Sequence, residues 1–126
     1  MQLSDFELDV MQVVWERGEC SAPQVHEAIR RKRDVAYSTV KTVIDRLERK
    51  GALQRARSER GTIFVSAAIS SDSVQRTMLD SLISHVFAGD RKPLFNQLIG
   101  DDELSASDLE YLERLIAQRR EGTDDD

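Results

Sequence analysis

Cysteine, histidine and proline are scarce in this chain: one Cys, two His and two Pro in 126 residues. The lone Cys20 excludes an internal disulfide framework and suits a reducing compartment, so a cytoplasmic protein is expected. Cys20 is read as a structural loop residue, its immediate neighbour being Glu19 rather than a base. Too few Cys and His are present for a zinc site. No apolar run approaches the roughly 20 residues of a membrane span, and no basic and apolar leader opens the chain, so no membrane insertion is expected. A phosphate-cradling glycine loop is missing, as is a nucleophile with a base and an orienter. No enzyme, cofactor or metal is therefore expected. Asp101–Glu103 reads as a capping or solvated acidic segment.

An excess of positive charge is missing too, the formal net charge being −5. Its distribution reverses that impression. Residues 22–60 hold 11 Lys/Arg against 5 Asp/Glu, whereas residues 1–21 hold 1 against 5 and residues 61–126 hold 6 against 13. Phosphate attraction depends on a local basic face, not on the total. Arg30–Arg33 and Arg55–Arg60 flank one helix and suit nucleic acid better than a merely solvated surface.

That helix lies within VAYSTVKTVIDRLERKG, residues 35–51. Val40, Val43, Ile44 and Leu47 follow the i, i+3, i+4, i+7 spacing of a single apolar stripe. Ser38, Thr42, Asp45 and Arg49 fall opposite, with Thr39, Lys41 and Arg46 on the flanks. Gly51 supplies the left-handed stop. Such a helix is held by a core and shows hydroxyls and cations to a polyanion.

Ser4–Glu7 is a capping box opening a first helix to about Arg17, with Phe6, Val10, Val13 and Val14 inward and Trp15 as a core anchor. Ser21–Gln24 is a second box, with Pro23 in the first turn, leading a helix to about Arg31 on which His26 is a surface residue. The central helix follows at about Tyr37–Lys50, completing a helix-turn-helix order with the third helix as reader. Ala52–Arg57 and Thr62–Ala67 alternate partially and join through Ser58–Gly61 as a hairpin, or wing. Ser38, Thr39, Lys41 and Thr42 are assigned to base edges in the major groove, and Tyr37 to a phosphate. Arg46, Arg49, Arg55, Arg57 and Arg60 are assigned to phosphate or wing contacts.

Beyond residue 70 the pattern is helical. Val74, Met78, Leu79, Leu82, Ile83, Val86 and Phe87 recur over about four turns. Leu94, Phe95, Leu98 and Ile99 form a short apolar segment after Gly89–Pro93. Ser107–Glu110 reads as a third capping box opening a last helix to about Arg120, with Leu109, Leu112, Leu115 and Ile116 apolar. These faces are too wide for so few residues to bury alone, which points to a second copy of the chain, with His85 at the interface or surface. Two-fold symmetry would then match a palindromic operator on double-stranded DNA. The fold class is mainly α with a small β-hairpin: a winged helix-turn-helix domain over 1–69, a helical dimerisation domain over 70–121, and a disordered acidic tail over 122–126.

With these residues in view, the chain resembles the BlaI/MecI/CopY family of penicillinase-repressor-type winged-helix regulators. Ala36–Leu47 followed by Lys50–Gly51 is similar to the family's motif around its recognition helix. Leu3–Ser4 with Glu7, Val10, Met11 and Val14–Trp15 resembles its first helix, and Leu104–Ser105 with Leu109, Leu112 and Leu115 its last. The resemblance implies a homodimeric transcriptional repressor on a palindromic operator. It also implies, as a frequent trigger, cleavage of the dimerisation segment dependent on a membrane sensor-protease, with that sensor-protease or its downstream protease as a partner. Gln97–Leu98 stands where the family usually has Asn-Phe, and no cysteine lies in the C-terminal region for the copper branch's metal cluster. Two other functions remain open on the residues: a winged-helix protein-interaction module, and a DNA-binding regulator answering to a small-molecule ligand rather than to proteolysis.

Overall fold

Ser4 and Ser21 open their helices as the S-x-x-E and S-x-x-Q spacing requires. In the computed structural model, which describes residues 1–124, Ser4 Oγ accepts the Glu7 amide at 3.2 Å and Glu7 Oε1 accepts the Ser4 amide at 2.8 Å. Ser21 and Gln24 repeat the exchange at 3.4 and 3.0 Å. Each box satisfies amides that a helix start leaves orphaned. The helices so begun are α1 (Asp5–Arg17) and α2 (Ala22–Ile29). They pack with α3 (Tyr37–Lys50) around Val10, Met11, Val14, Val25, Ile29, Val40, Val43, Ile44 and Leu47, all buried. The four α3 residues are the expected stripe, and burying each contributes roughly 1.5–3 kcal/mol. Gly51 ends α3 in the left-handed region at φ 85°, its amide shared between the Glu48 and Leu47 carbonyls.

Cys20 is not in a loop. Cys20–Ser21 forms a short strand, β1, antiparallel to β3 (Thr62–Ala67), which also pairs with β2 (Leu53–Glu59). The expected hairpin is thus part of a three-stranded sheet in the order β1-β3-β2. A two-residue strand is shorter than one period of alternation, so no pattern announces it. Cys20 is fully buried beside Val65, and that burial pushes its thiol pKa up while nearby Arg17 pulls it partly back. Arg60 and Gly61 close the hairpin with φ of 52° and 80°, the two positive angles of a type I′ turn.

The chain divides into two compact units, Met1–Asp80 and Ser81–Asp126. The boundary falls inside α4 (Ser71–His85) rather than at 69/70. Ile69 is tied to the first unit, its carbonyl accepting Trp15 Nε1–H at 3.0 Å. Ser70 caps α4, its Oγ accepting the Ser73 amide at 3.1 Å. Val86 and Phe87 lie beyond the end of α4, because Ala88 at φ 51° and Gly89 at φ 83° turn the chain there. The segment after Pro93 is helix α5 (Lys92–Ile99), with the proline in its first turn.

The last helix, α6, spans Ala106–Asp124 and starts before the expected Ser107 box. Ser105 and Asp108 make the reciprocal cap instead, at 3.0 and 3.1 Å, because S-x-x-D at 105–108 offers the same exchange. The helix also passes Arg120: Thr123 Oγ1 donates to the Arg119 carbonyl at 2.9 Å. Of the tail expected over 122–126, residues 122–124 therefore continue α6, and residues 125–126 lie outside the described residues.

Candidate nucleic-acid interface

Packing decides which side of α3 faces outward. With Val40, Val43, Ile44 and Leu47 in the core, Ser38, Thr39, Thr42, Arg46 and Arg49 are left exposed, as the helical spacing demands. No side chain caps the start of α3, whose N-cap is Ala36. The Thr39 amide donates to the Ala36 carbonyl at 3.1 Å, while the amides of Tyr37 and Ser38 and the positive end of the helix dipole remain open to an anion. The Thr42 hydroxyl donates to the Ser38 carbonyl at 2.9 Å, which leaves its methyl and its oxygen lone pairs for a partner.

Tyr37, 43% exposed, is positioned from α2. His26 Nε2 must carry a proton, because its partner at 2.9 Å is the Val35 carbonyl, and its ring meets Tyr37 edge-on at 5.8 Å. His26 is therefore half-buried and bridges α2 to the connector before α3, not the plain surface residue its place on the polar side of the helix suggested. Nothing in the periodicity of α2 marks a bond to a carbonyl nine residues away.

The assigned cations divide into two groups. Arg46, Arg49 and Arg60 are exposed and form no ion pair among the described residues. Lys41 Nζ instead donates to Asp45 Oδ1 at 2.7 Å, and Arg55 Nε lies 3.3 Å from Glu48 Oε2. Arg57 donates to Glu19 at 2.7 Å and to Glu59, and its guanidinium stacks 3.9 Å from the centre of the Phe64 ring. Those carboxylates raise the arginine's already high pKa further.

The separation of Arg55 from Arg57 comes from a β-bulge. Arg55 opposes Val65, Arg57 opposes Phe64, and Ala56 between them opposes nothing. Since cross-strand partners share a face, Arg55 lies on the side of buried Val65 and Arg57 on the other. A shallow groove of about 210 Å³ between α3 and the wing is lined by Tyr37, Lys41, Ile44, Glu48, Gly61, Thr62 and Ile63. The exposed front of α3 and the hairpin tip with Arg60 flank this groove; Arg57 is not brought to it.

One further contact sets the helix in place. Lys50, in the last turn of α3, reaches Glu7 Oε1 at 2.8 Å, and the Glu7 side chain is only 2% exposed. Burial alone would push the Glu7 pKa up; the Lys50 ammonium and the amide and hydroxyl of Ser4 together bring it below the ordinary carboxylate value. Oε2 of Glu7 is buried without a partner. The pair joins residues 43 apart, so only its capping half could be read from sequence. Among the described residues no cluster of His, Cys, Asp or Glu could hold a metal ion.

The C-terminal assignments divide as well. Ile83 is already buried within the chain, and Val74, Phe87 and Leu112 are half-buried. Met78, Leu79, Leu82, Val86, Leu109, Leu115 and Ile116 are exposed, between 39 and 67%. Phe95, Leu98, Ile99 and Tyr111 extend the apolar surface, at 53–56% exposed. Within the second unit, α5 and α6 have no extensive packing contact with each other among the described residues.

Three helices with the third presented outward, followed by a twisted hairpin, define a winged helix-turn-helix domain of the DNA-reading type. The sequence matches the penicillinase repressor family over residues 3–118, and the chain belongs to that family of transcriptional repressors. It is 30% identical over 122 residues to the transcriptional regulator BlaI of Mycobacterium tuberculosis, covering 96% of this chain and 87% of that protein. It is 27% identical over 116 residues to a Staphylococcus aureus penicillinase repressor, covering 92 and 91%. Among solved structures, the monomeric form of Bacillus licheniformis BlaI in complex with the blaP half-operator matches with a TM-score of 0.50 and 28% identity, over 57% of this chain and 87% of that one. No helix among the described residues is long and apolar enough to cross a membrane.

Proposed function

We propose that this chain is a cytoplasmic, non-enzymatic repressor that binds a palindromic operator as a homodimer, one recognition helix in each half-site. The observation that carries the proposal is the outward face of α3: hydroxyls at Ser38, Thr39 and Thr42, and at Arg46 and Arg49 cations without ion-pair partners among the described residues. The N-terminal part of α3 meets base edges, Tyr37 and the uncapped helix start meet a phosphate, and Arg46, Arg49 and Arg60 meet the backbone. The complex of B. licheniformis BlaI with a half-operator supports the same mode here.

The homodimer is supported by the apolar residues of the second unit. Large side chains such as Phe95, Leu98, Ile99 and Ile116 are more than half exposed in the single chain, and exposed apolar residues gathered in one segment mark an interaction surface. Pairing two copies buries it and doubles the number of bases read. Control by proteolysis forms no part of the proposal, since Gln97–Leu98 stands in place of Asn-Phe and lies within α5.

Fluorescence anisotropy with the chain's own upstream DNA and a scrambled duplex, at about 50 and 200 mM salt, tests this. Binding to the upstream DNA that persists at the higher salt, with a symmetric footprint, is the expected result. Equal, salt-fragile binding to both duplexes would overturn the reading of the upstream DNA as the operator.

A further inference from the structure

The DNA-facing side of α3 carries a carboxylate where phosphates would repel one. Asp45 falls on the helix side opposite the core, with Ser38, Thr42 and Arg49. Of the two acids in Tyr37–Lys50, Glu48 is drawn to Arg55 and its side chain is 22% exposed, whereas that of Asp45 is 45% exposed. Asp45 Oδ1 accepts from Lys41 Nζ at 2.7 Å, one turn nearer the end of α3 that enters the groove. Its Oδ2 accepts no hydrogen bond among the described residues. The pair adds little to helix stability, because lysine preceding the acid by four residues is the less favourable orientation on a helix. What the pair does provide is a donor and an acceptor held side by side on an outward surface.

We infer that Lys41 and Asp45 read a G·C base pair as one unit, Lys41 Nζ donating to guanine N7 and O6 and Asp45 Oδ2 accepting from the cytosine N4 amino group. The inference rests on the DNA-binding proposal above and names what its reading helix selects. In the major groove a G·C pair presents two acceptors on guanine beside a donor on cytosine, the mirror of an ammonium beside a carboxylate. At an A·T pair in the same orientation the carboxylate faces the thymine O4 acceptor, and at C·G it faces the guanine acceptors. At T·A the adenine N6 amino group takes the place of the cytosine donor, and what is lost is the lysine's second acceptor, guanine N7, with the thymine methyl in its place. The repulsion is as useful as the attraction: a carboxylate so placed rejects wrong pairs and lowers affinity for arbitrary phosphates, which a free lysine would not do.

The test uses the full chain and a pool of randomised duplex DNA, from which bound sequences are enriched and read. The best site is then measured by anisotropy with every single base-pair replacement. The wild type is expected to fix a G·C pair in each half-site and to lose about five-fold or more in affinity when it is replaced. Asp45→Asn and Lys41→Met should each flatten the preference at that same pair and leave the others intact, and Asp45→Glu should restore it. Thermal melts of the variants, compared with the wild type, confirm that they are folded, as expected for an exposed pair. Unchanged preference in Asp45→Asn, or flattening at different pairs in the two variants, overturns the inference. Failure of the wild type to enrich any sequence overturns the DNA-binding proposal itself, so the two failures are distinct.

Discussion

Replacing Lys50 by methionine removes the cation from a carboxylate that is only 2% exposed while keeping the length and apolar stem of the side chain. Breaking a buried ion pair by deleting one partner costs about 3–5 kcal/mol, most of it the desolvation of the charge left behind. The Lys50 side chain is 34% exposed, so water reaches the pair from one side and the expected loss is smaller, about 2–3 kcal/mol at pH 7. The pH dependence is the sharper signature. In the wild type the Glu7 pKa is below its unfolded value, so its stabilisation is present above the ordinary carboxylate range and is lost as pH falls through the lowered value. Without Lys50, burial dominates and raises the pKa, so the variant's folded state gains from protonation as pH falls from 7 to 4. The gap between wild type and Lys50→Met should therefore shrink over that interval. Urea denaturation at pH 7, 5.5 and 4 measures it, with Glu7→Gln/Lys50→Met as the double variant that relieves the buried charge. A gap under about 1 kcal/mol at pH 7, or one that does not change with pH, would refute the reasoning.

Other outcomes follow from the placement of single residues. Thr42→Ala should weaken binding to the operator more than to random DNA, read by anisotropy. Arg49→Ala should weaken both and lower the salt slope by about one, whereas Arg57→Ala, whose guanidinium lies on the far face of the wing with Glu19 and Glu59, should change the slope by less; equal slopes would sink the division of the cations. Gly51→Ala meets open space but must hold φ 85°, so a calorimetric melt should show a loss of about 1–2 kcal/mol, from backbone conformation alone. Ile116→Glu should convert the sedimenting species to a monomer while leaving half-site binding detectable.

Sequence reasoning succeeded where one element's own period carried the information. The stripe of α3 is such a case: four residues spaced by 3.6 are the four that are buried, so the outward face followed without any knowledge of neighbours. It failed where the decisive partner was distant or the signal shorter than a period. Cys20 looked like a loop residue because a two-residue strand exists only by virtue of Val65 and Phe64. Glu7 was legible as a cap but not as the partner of Lys50. Arg57 was legible as a wing residue, but the side of the sheet on which it lies depends on a bulge that partial alternation does not reveal. The start of α6 was misplaced because SASD and SDLE overlap and both offer a serine with an acid three residues on.

The bulge at Ala56 also bears on how wings of this kind can vary. Seven residues of β2 stand against six of β3, and the surplus is confined to one position that has no partner. Loss of Ala56 would leave every pair from Leu53 with Ala67 to Glu59 with Thr62 in register, and would keep Arg55 and Arg57 on their separate faces. The strand can thus shorten by one residue without rotating a single side chain about its axis, whereas a gain or loss of one residue at any paired position inverts all that follow up to the turn. In an alignment of related wings, a one-residue gap at this position would be the mark of an unchanged charge pattern, and a gap elsewhere in the strand the mark of a different one.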